Sequence, residues 1–180
     1  THSGFGQKVR TWNDKGLLSA WREHWAAHCN LELARAGWDV RIDHRTLEAQ
    51  GIDLEPQSKI GAKVAQVSMA RFAEHQALAF RNGERLRKDP RIALNALTQQ
   101  QSTFTHQDIA RFVNRHTADA EQFEQIYAIV KGSPELVYLG EDERKRERFT
   151  THAMLALEKQ LMADRKSTRL NSSNSDRSRM

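Results

Sequence analysis

The chain has 180 residues, 38% of them apolar, and a formal charge of +5 at pH 7, enough apolar material for one domain or two small ones. No window approaches the roughly 18 consecutive apolar residues that cross a bilayer, and Thr1 to Gly6 lack the charged-then-apolar pattern of a secretion signal, so a soluble, cytoplasmic protein without a membrane segment is expected. A single cysteine, Cys29, excludes an intramolecular disulfide framework.

Four tryptophans, Trp12, Trp21, Trp25 and Trp38, concentrate the aromatic mass in the first 38 residues. From Leu17 to Ala36 the positions Leu18, Trp21, Trp25, Cys29 and Leu33 recur at steps of three or four. That spacing predicts one apolar helical stripe facing a core, with Cys29 as a small core residue rather than a nucleophile. Gly37 supplies the C-cap. Val40 and Ile42 alternate with Asp39, Arg41 and Asp43, which predicts a short strand from Trp38 to Asp43. One helical turn follows from Thr46 to Gln50, stopped by Gly51, and Ile52 to Gln57 reads as an extended loop pinned by Pro56.

Residues 62–86 read as a helical connector with a loose stripe through Val64, Val67, Ala70 or Arg71, Ala73 and Leu78. Asp89-Pro90 breaks it, and Ile92, Leu94 and Leu97 open another helix. Thr105 with Asp108 three residues on is close to a capping box, ahead of Ile109, Phe112 and Val113. A further helix spans Asp119 to Val130, with Phe123, Ile126, Tyr127 and Val130 on one face, and ends at Lys131-Gly132 and Pro134. Leu136, Tyr138 and Leu139 suggest a strand, residues 141–148 a hairpin tip, Phe149 the return strand, and Thr150 or Thr151 the cap of a last helix through Met154, Leu157 and Leu161. The expected class is mainly α with short strands, an α+β arrangement in which residues 102–163 form a small winged-helix-like unit.

The basic balance lies at the end of the chain. Residues 164–180 hold five basic and two acidic side chains; the rest carries 23 basic and 21 acidic ones, so bulk charge is no argument for nucleic-acid binding. The run from Asp164 to Ser173 resembles a translated sequencing-library adaptor and has no apolar periodicity, so residues 164–180 are expected to be a non-native or disordered tail. Thr1 stands where an initiator methionine would, and the chain reads as a piece cut at both ends.

Few residues carry chemistry. His24 and His28 stand one helical turn apart, but Glu23 precedes the pair and no third ligand is evident, so no metal site is assigned. Asp43, His44 and Arg45 form a polar triplet at the end of the expected strand. Arg41 and Arg45 could meet phosphates and His44 could exchange a proton, but a buried salt-bridge network explains the same residues and is the favoured reading. The hairpin tip balances four acids against four bases and reads as solvated surface. There is no phosphate loop and no His-x-His pair, and Tyr127 and Tyr138 sit on apolar stripes.

The segment from Arg41 to Pro56, ArgIleAspHisArgThrLeuGluAlaGlnGlyIleAspLeuGluPro, closely resembles the end of the MobA/MobL relaxase domain in conjugative transfer relaxases of the TraA kind. TrpArgGluHisTrp and AsnLeuGluLeu, upstream, resemble the family's preceding helix. Gln101 to Val113 and Glu147 to Glu158 resemble the approach to its RecD-like helicase. The resemblance implies residues 1–61 as the end of a relaxase domain, 62–101 as a connector and 102–163 as the start of a helicase region. It implies a parent enzyme that nicks one strand at a plasmid transfer origin with a tyrosine and a histidine-held divalent metal, then unwinds DNA with ATP. Single-stranded and duplex plasmid DNA would be its partners. The nucleophilic tyrosine, metal-site histidines and phosphate loop are expected outside these residues, which leaves no cofactor and no catalytic residue here. Arg41, His44 and Arg45 are the candidate nucleic-acid contacts; a stand-alone DNA-binding module without catalysis is the alternative.

Overall fold

The computed structural model describes residues 14–57 and 69–177, with side chains as far as Arg165. Six helices and one antiparallel hairpin follow in order: α1 (Lys15–Arg35), α2 (Met69–Lys88), α3 (Arg91–Gln100), α4 (His106–Arg115), α5 (Ala120–Lys131), β1 (Leu136–Glu141), β2 (Glu147–Thr151) and α6 (His152–Arg177). The mainly helical α+β class expected from the sequence is the class observed.

Most helix ends are written in the sequence. Asp14 accepts from the Gly16 amide at the start of α1. At its other end Gly37 takes φ +74°, and Trp38 N donates to Leu33 O at 2.9 Å while Gly37 N donates to Ala34 O at 3.1 Å. This paired closure satisfies carbonyls that a helix end leaves open. Thr105 and Asp108 complete a reciprocal capping box at α4, and Asp119 caps α5. The amide of Met154 donates to Thr151 Oγ1 at 3.2 Å, which selects Thr151 as the threonine that opens α6. Met154 and Leu155 are half-buried, whereas Leu157 and Leu161 of the same expected stripe are exposed. The α6 helix then continues to Arg177, into residues 164–180 expected to be a non-native or disordered tail.

The core lies between α2, α3, α4, α5 and β2. Leu86, Leu94, Phe104, Ile109, Val113, Ile126 and Val130 are all but inaccessible, and Ile52 and Leu54 of the loop after α1 join them. Each such side chain contributes about 1.5–3 kcal/mol by leaving water. Phe104 extends the hairpin by a single residue, exchanging both backbone hydrogen bonds with Phe149 at 2.9 and 2.8 Å. Between Tyr138 and Gly140 the register slips by one residue, and Gly140 takes φ +106° to permit the bulge. At the tip, the Asp142 carboxylate accepts from the amides of Arg144 and Arg146 and from the Arg146 guanidinium, so its pKa falls to about 2.

Three expectations fail. The tryptophan stripe of α1 does not enter a core: Trp21, Trp25 and Leu18 are more than half exposed, Cys29 is only half-buried, and Ala26 is the buried residue of the helix. Trp38 is exposed as well, and Trp12 lies outside the described residues. Periodicity marks a face suited to burial without naming what covers it, and no described element packs broadly across this one. The strand at Trp38 to Asp43 is absent, because no described strand lies beside it to complete a ladder; Val40 and Ile42 stay exposed. In α2 the buried face is Ala79, Asn82, Gly83 and Leu86 rather than the expected stripe, whose Val64 and Val67 lie outside the described residues.

Gly83 marks the closest approach of α2 to α5. A methyl group there would stand 2.5–2.6 Å from the Gln122 amide, which is held at both ends: Gln122 Nε2 donates to Phe80 O, and Ala118 N donates to Gln122 Oε1. Gly83→Ala would gain about 1 kcal/mol of helix propensity but must displace a buried amide whose lost bonds cost about 1–3 kcal/mol each. A net loss of about 1–3 kcal/mol is expected in urea denaturation; a stabilised variant would show that α5 yields freely.

Candidate nucleic-acid interface

Residues 39–57 cross the molecule as a strap with no described strand to pair with, so their backbone groups need other partners. Two asparagines supply them. Asn30 of α1 donates through Nδ2 to Ile42 O at 2.9 Å and accepts from Ile42 N at 2.8 Å. Asn82 of α2, fully buried, does the same for Glu55: Nδ2 to Glu55 O at 2.9 Å, and Glu55 N to Oδ1 at 2.8 Å. Each carboxamide thus stands in for one residue of a neighbouring strand.

Further bonds tie the strap to the end of α3. Arg41 N donates to Gln100 O at 2.6 Å, Gln99 Nε2 donates to Gln50 O at 2.9 Å, and Asp39 accepts from both the amide and the hydroxyl of Ser102. On the α2 side, Glu55 forms a fork with Arg81 and a second contact with Arg85, which also reaches Asp53. The Arg81 hydrogen bond, aided by the charges of Arg81 and Arg85, holds the Glu55 carboxyl below its ordinary range.

The expected polar triplet divides under this arrangement. Arg45 is bound to Asp43 through a two-oxygen fork at 2.6–3.1 Å and donates to Ala49 O, and this bonding lowers the Asp43 pKa. Its guanidinium is engaged in folding the turn 46–51, where Gln50 N meets Thr46 O and Gly51 takes φ +73°. His44 is half-buried and Arg41 exposed. His24 and His28 are both exposed on α1, and among the described residues no group of three or more His, Cys, Asp or Glu could hold a metal ion.

Sequence reasoning missed a cleft of about 630 Å³ between the strap and the helices below it. Leu47, Ile52, Leu54 and Pro56 of the strap form one wall; His75, Gln100, Phe112, Arg115 and His116 stand across it. The rings of Phe112 and His116 stack with centroids 4.6 Å apart. His116 Nδ1 lies 3.1 Å from Phe112 O; a carbonyl only accepts, so Nδ1 carries the hydrogen and Nε2 is left as an acceptor. Burial, reinforced by Arg115, pushes the His116 pKa down to about 4. The i, i+4 spacing of Phe112 and His116 was the available signal, hidden because His116 also closes α4 as its C-cap.

Two predictions follow from these contacts. Asn82→Ala leaves the Glu55 amide and carbonyl unpaired, a loss of about 2–4 kcal/mol, and proteolysis within residues 39–57 should precede global unfolding; uniform resistance would show that the strap does not depend on Asn82. His116 stays neutral in the fold, whereas an unfolded histidine titrates near 6.5. The folded state therefore loses stability as pH falls from about 6.5 to about 4, by at most about 3 kcal/mol, and His116→Gln should flatten this part of the stability profile.

The MobA/MobL family model matches residues 3–70. The conjugal transfer protein TraA of Agrobacterium fabrum is 31% identical over 183 aligned residues, covering 85% of this chain and 16% of that protein. The probable conjugal transfer protein TraA of Sinorhizobium fredii is 31% identical, covering 74% and 13%. Mobilization protein A of Escherichia coli is 48% identical over 64 residues, covering 36% and 9%. The chain thus spans about a sixth, or less, of the length of these relatives. No solved structure matches it. Residues 3–70, which include α1 and the whole strap, match the MobA/MobL family model, and the chain is similar to TraA proteins over most of its length.

Proposed function

We propose that these residues form the junction of a conjugative plasmid-transfer relaxase, joining the end of its strand-nicking domain to the start of its unwinding region in the cytoplasm. In this reading the whole enzyme acts on single-stranded and duplex plasmid DNA at a transfer origin. A tyrosine and a histidine-held divalent metal carry the nicking, and ATP drives the unwinding. The present residues position those activities rather than perform them.

The supporting observation is the strap. The family match ends at residue 70, yet residues 39–57 of the matched part are bonded to Arg81, Asn82 and Arg85 of α2 and to the α3 end, beyond it. A boundary crossed by hydrogen bonds, ion pairs and the buried Ile52 and Leu54 behaves as a rigid coupling rather than a free linker.

The downstream unit runs α3, the single-residue strand at Phe104, α4, α5, β1 and β2. That order supports the winged-helix reading, with α4 and α5 as its helix pair. Yet the exposed positions of α5 include Glu121 and Glu124, which would face the phosphates of a major groove with like charge. This disfavours the alternative of a stand-alone duplex-binding module.

The test uses the complete relaxase that contains this segment. Asp53→Ala combined with Glu55→Ala removes the ion pairs to Arg81 and Arg85. Nicking of a supercoiled transfer-origin plasmid should stay within about twofold, while displacement of the nicked strand falls by about fivefold or more. Unchanged rates for both steps, in a variant still folded by circular dichroism, would reject the junction reading.

A further inference from the structure

The cleft beneath the strap has no place in that coupling role, and its chemistry is particular. Its volume of about 630 Å³ exceeds that of a nucleobase with its sugar. No carboxylate stands among the described residues that line it, whereas Arg115 does; the neighbouring pocket beside Asp53, Arg85, Asp89 and Arg91 mixes both signs. The Gln57 side-chain nitrogen is buried in the cleft without a hydrogen-bond partner, a deficit that persists until an acceptor reaches it.

A ligand matched to these features needs a flat face for the half-buried Phe112 ring. It needs an acceptor for the Gln57 amide, a donor for the free nitrogen of His116, and negative charge beside Arg115. The apolar wall of Leu47, Ile52 and Leu54 would exclude water from the ring. An unpaired nucleotide combines all of these, since its base offers a π-face with donors and acceptors on one edge and its phosphate lies a sugar away. A paired base cannot enter, because its edge is already engaged and its faces are stacked.

We propose that the cleft holds an unpaired base of single-stranded DNA, stacked on Phe112 and contacted by Gln57 and His116, with the adjoining phosphate at Arg115. The choice of polymer rests on the DNA-handling role proposed above; the pocket itself does not. Such a site would retain the strand at the junction after nicking and before unwinding.

The experiment measures fluorescence anisotropy of labelled single-stranded oligonucleotides with the purified 180-residue chain. Three probes are compared: an oligothymidine, an abasic strand of equal length and a duplex. The expected result is preference for the oligothymidine over both others by about tenfold, with Arg115→Ala and Gln57→Leu each weakening it by about fivefold. Lys159→Ala, which removes a charge outside the cleft, should leave it unchanged. Phe112→Leu should lose the distinction between oligothymidine and abasic strand while retaining the wild-type circular dichroism spectrum. Equal binding of abasic and normal strands, equal weakening by Lys159→Ala, or no single-strand binding at all would overturn the inference. Failure here leaves the strand-displacement result for the complete relaxase to decide the junction reading separately.

Discussion

An extended segment with no described strand beside it presents its backbone to the rest of the protein as a row of open hydrogen bonds, and the packing around α2 and α3 turns on how residues 39–57 meet that demand. Two carboxamides, from Asn30 and Asn82, each engage both the N–H and the C=O of a strap residue. Asparagine suits the task because its side chain carries the donor and acceptor of a peptide unit in one plane. Asn82 can afford complete burial only because both halves of its amide are satisfied. With the strap fixed, Ile52 and Leu54 enter the core, and the space left between strap and α4 becomes the cleft.

The helices beneath are arranged to receive it. Gly83 lets α2 approach α5 closely enough for the Gln122 amide to bond Phe80 O and Ala118 N. The same helix therefore uses one turn, Asn82 and Gly83, to hold the strap on one side and α5 on the other. Phe104 and Phe149 join α3, α4 and the hairpin through paired backbone bonds. The ring of His106 leans on Phe149 with centroids 4.3 Å apart while its Nε2 lies 3.3 Å from Glu147, so the first turn of α4 is fastened to β2 by a ring contact and a polar contact.

Local features were legible in the sequence; long-range ones were not. Gly37, the Thr105 and Asp108 box, Asp119, Pro90 and the hairpin from Leu136 act through neighbours a few residues away, and each appears where its chemistry requires. The resemblance of Arg41 to Pro56 to the MobA/MobL family was equally local and agrees with the family match over residues 3–70. The missing strand at Trp38 to Asp43 and the exposed tryptophans of α1 fail for one reason: alternation and helical period describe a face, and its partner lies elsewhere in the chain or beyond it. Arg45, a candidate for phosphate, is engaged by Asp43 two residues away, as the salt-bridge reading of the triplet allowed. The cleft could not be anticipated, since Gln57, His75, Gln100 and His116 are brought together only by tertiary packing.

A clamp that grips main-chain atoms is blind to the side chain it carries. Because Asn30 addresses only the amide and carbonyl at position 42, that position can accept almost any residue other than proline without loosening its hold. The outward chemistry of the strap at that position can thereby change while its path is kept.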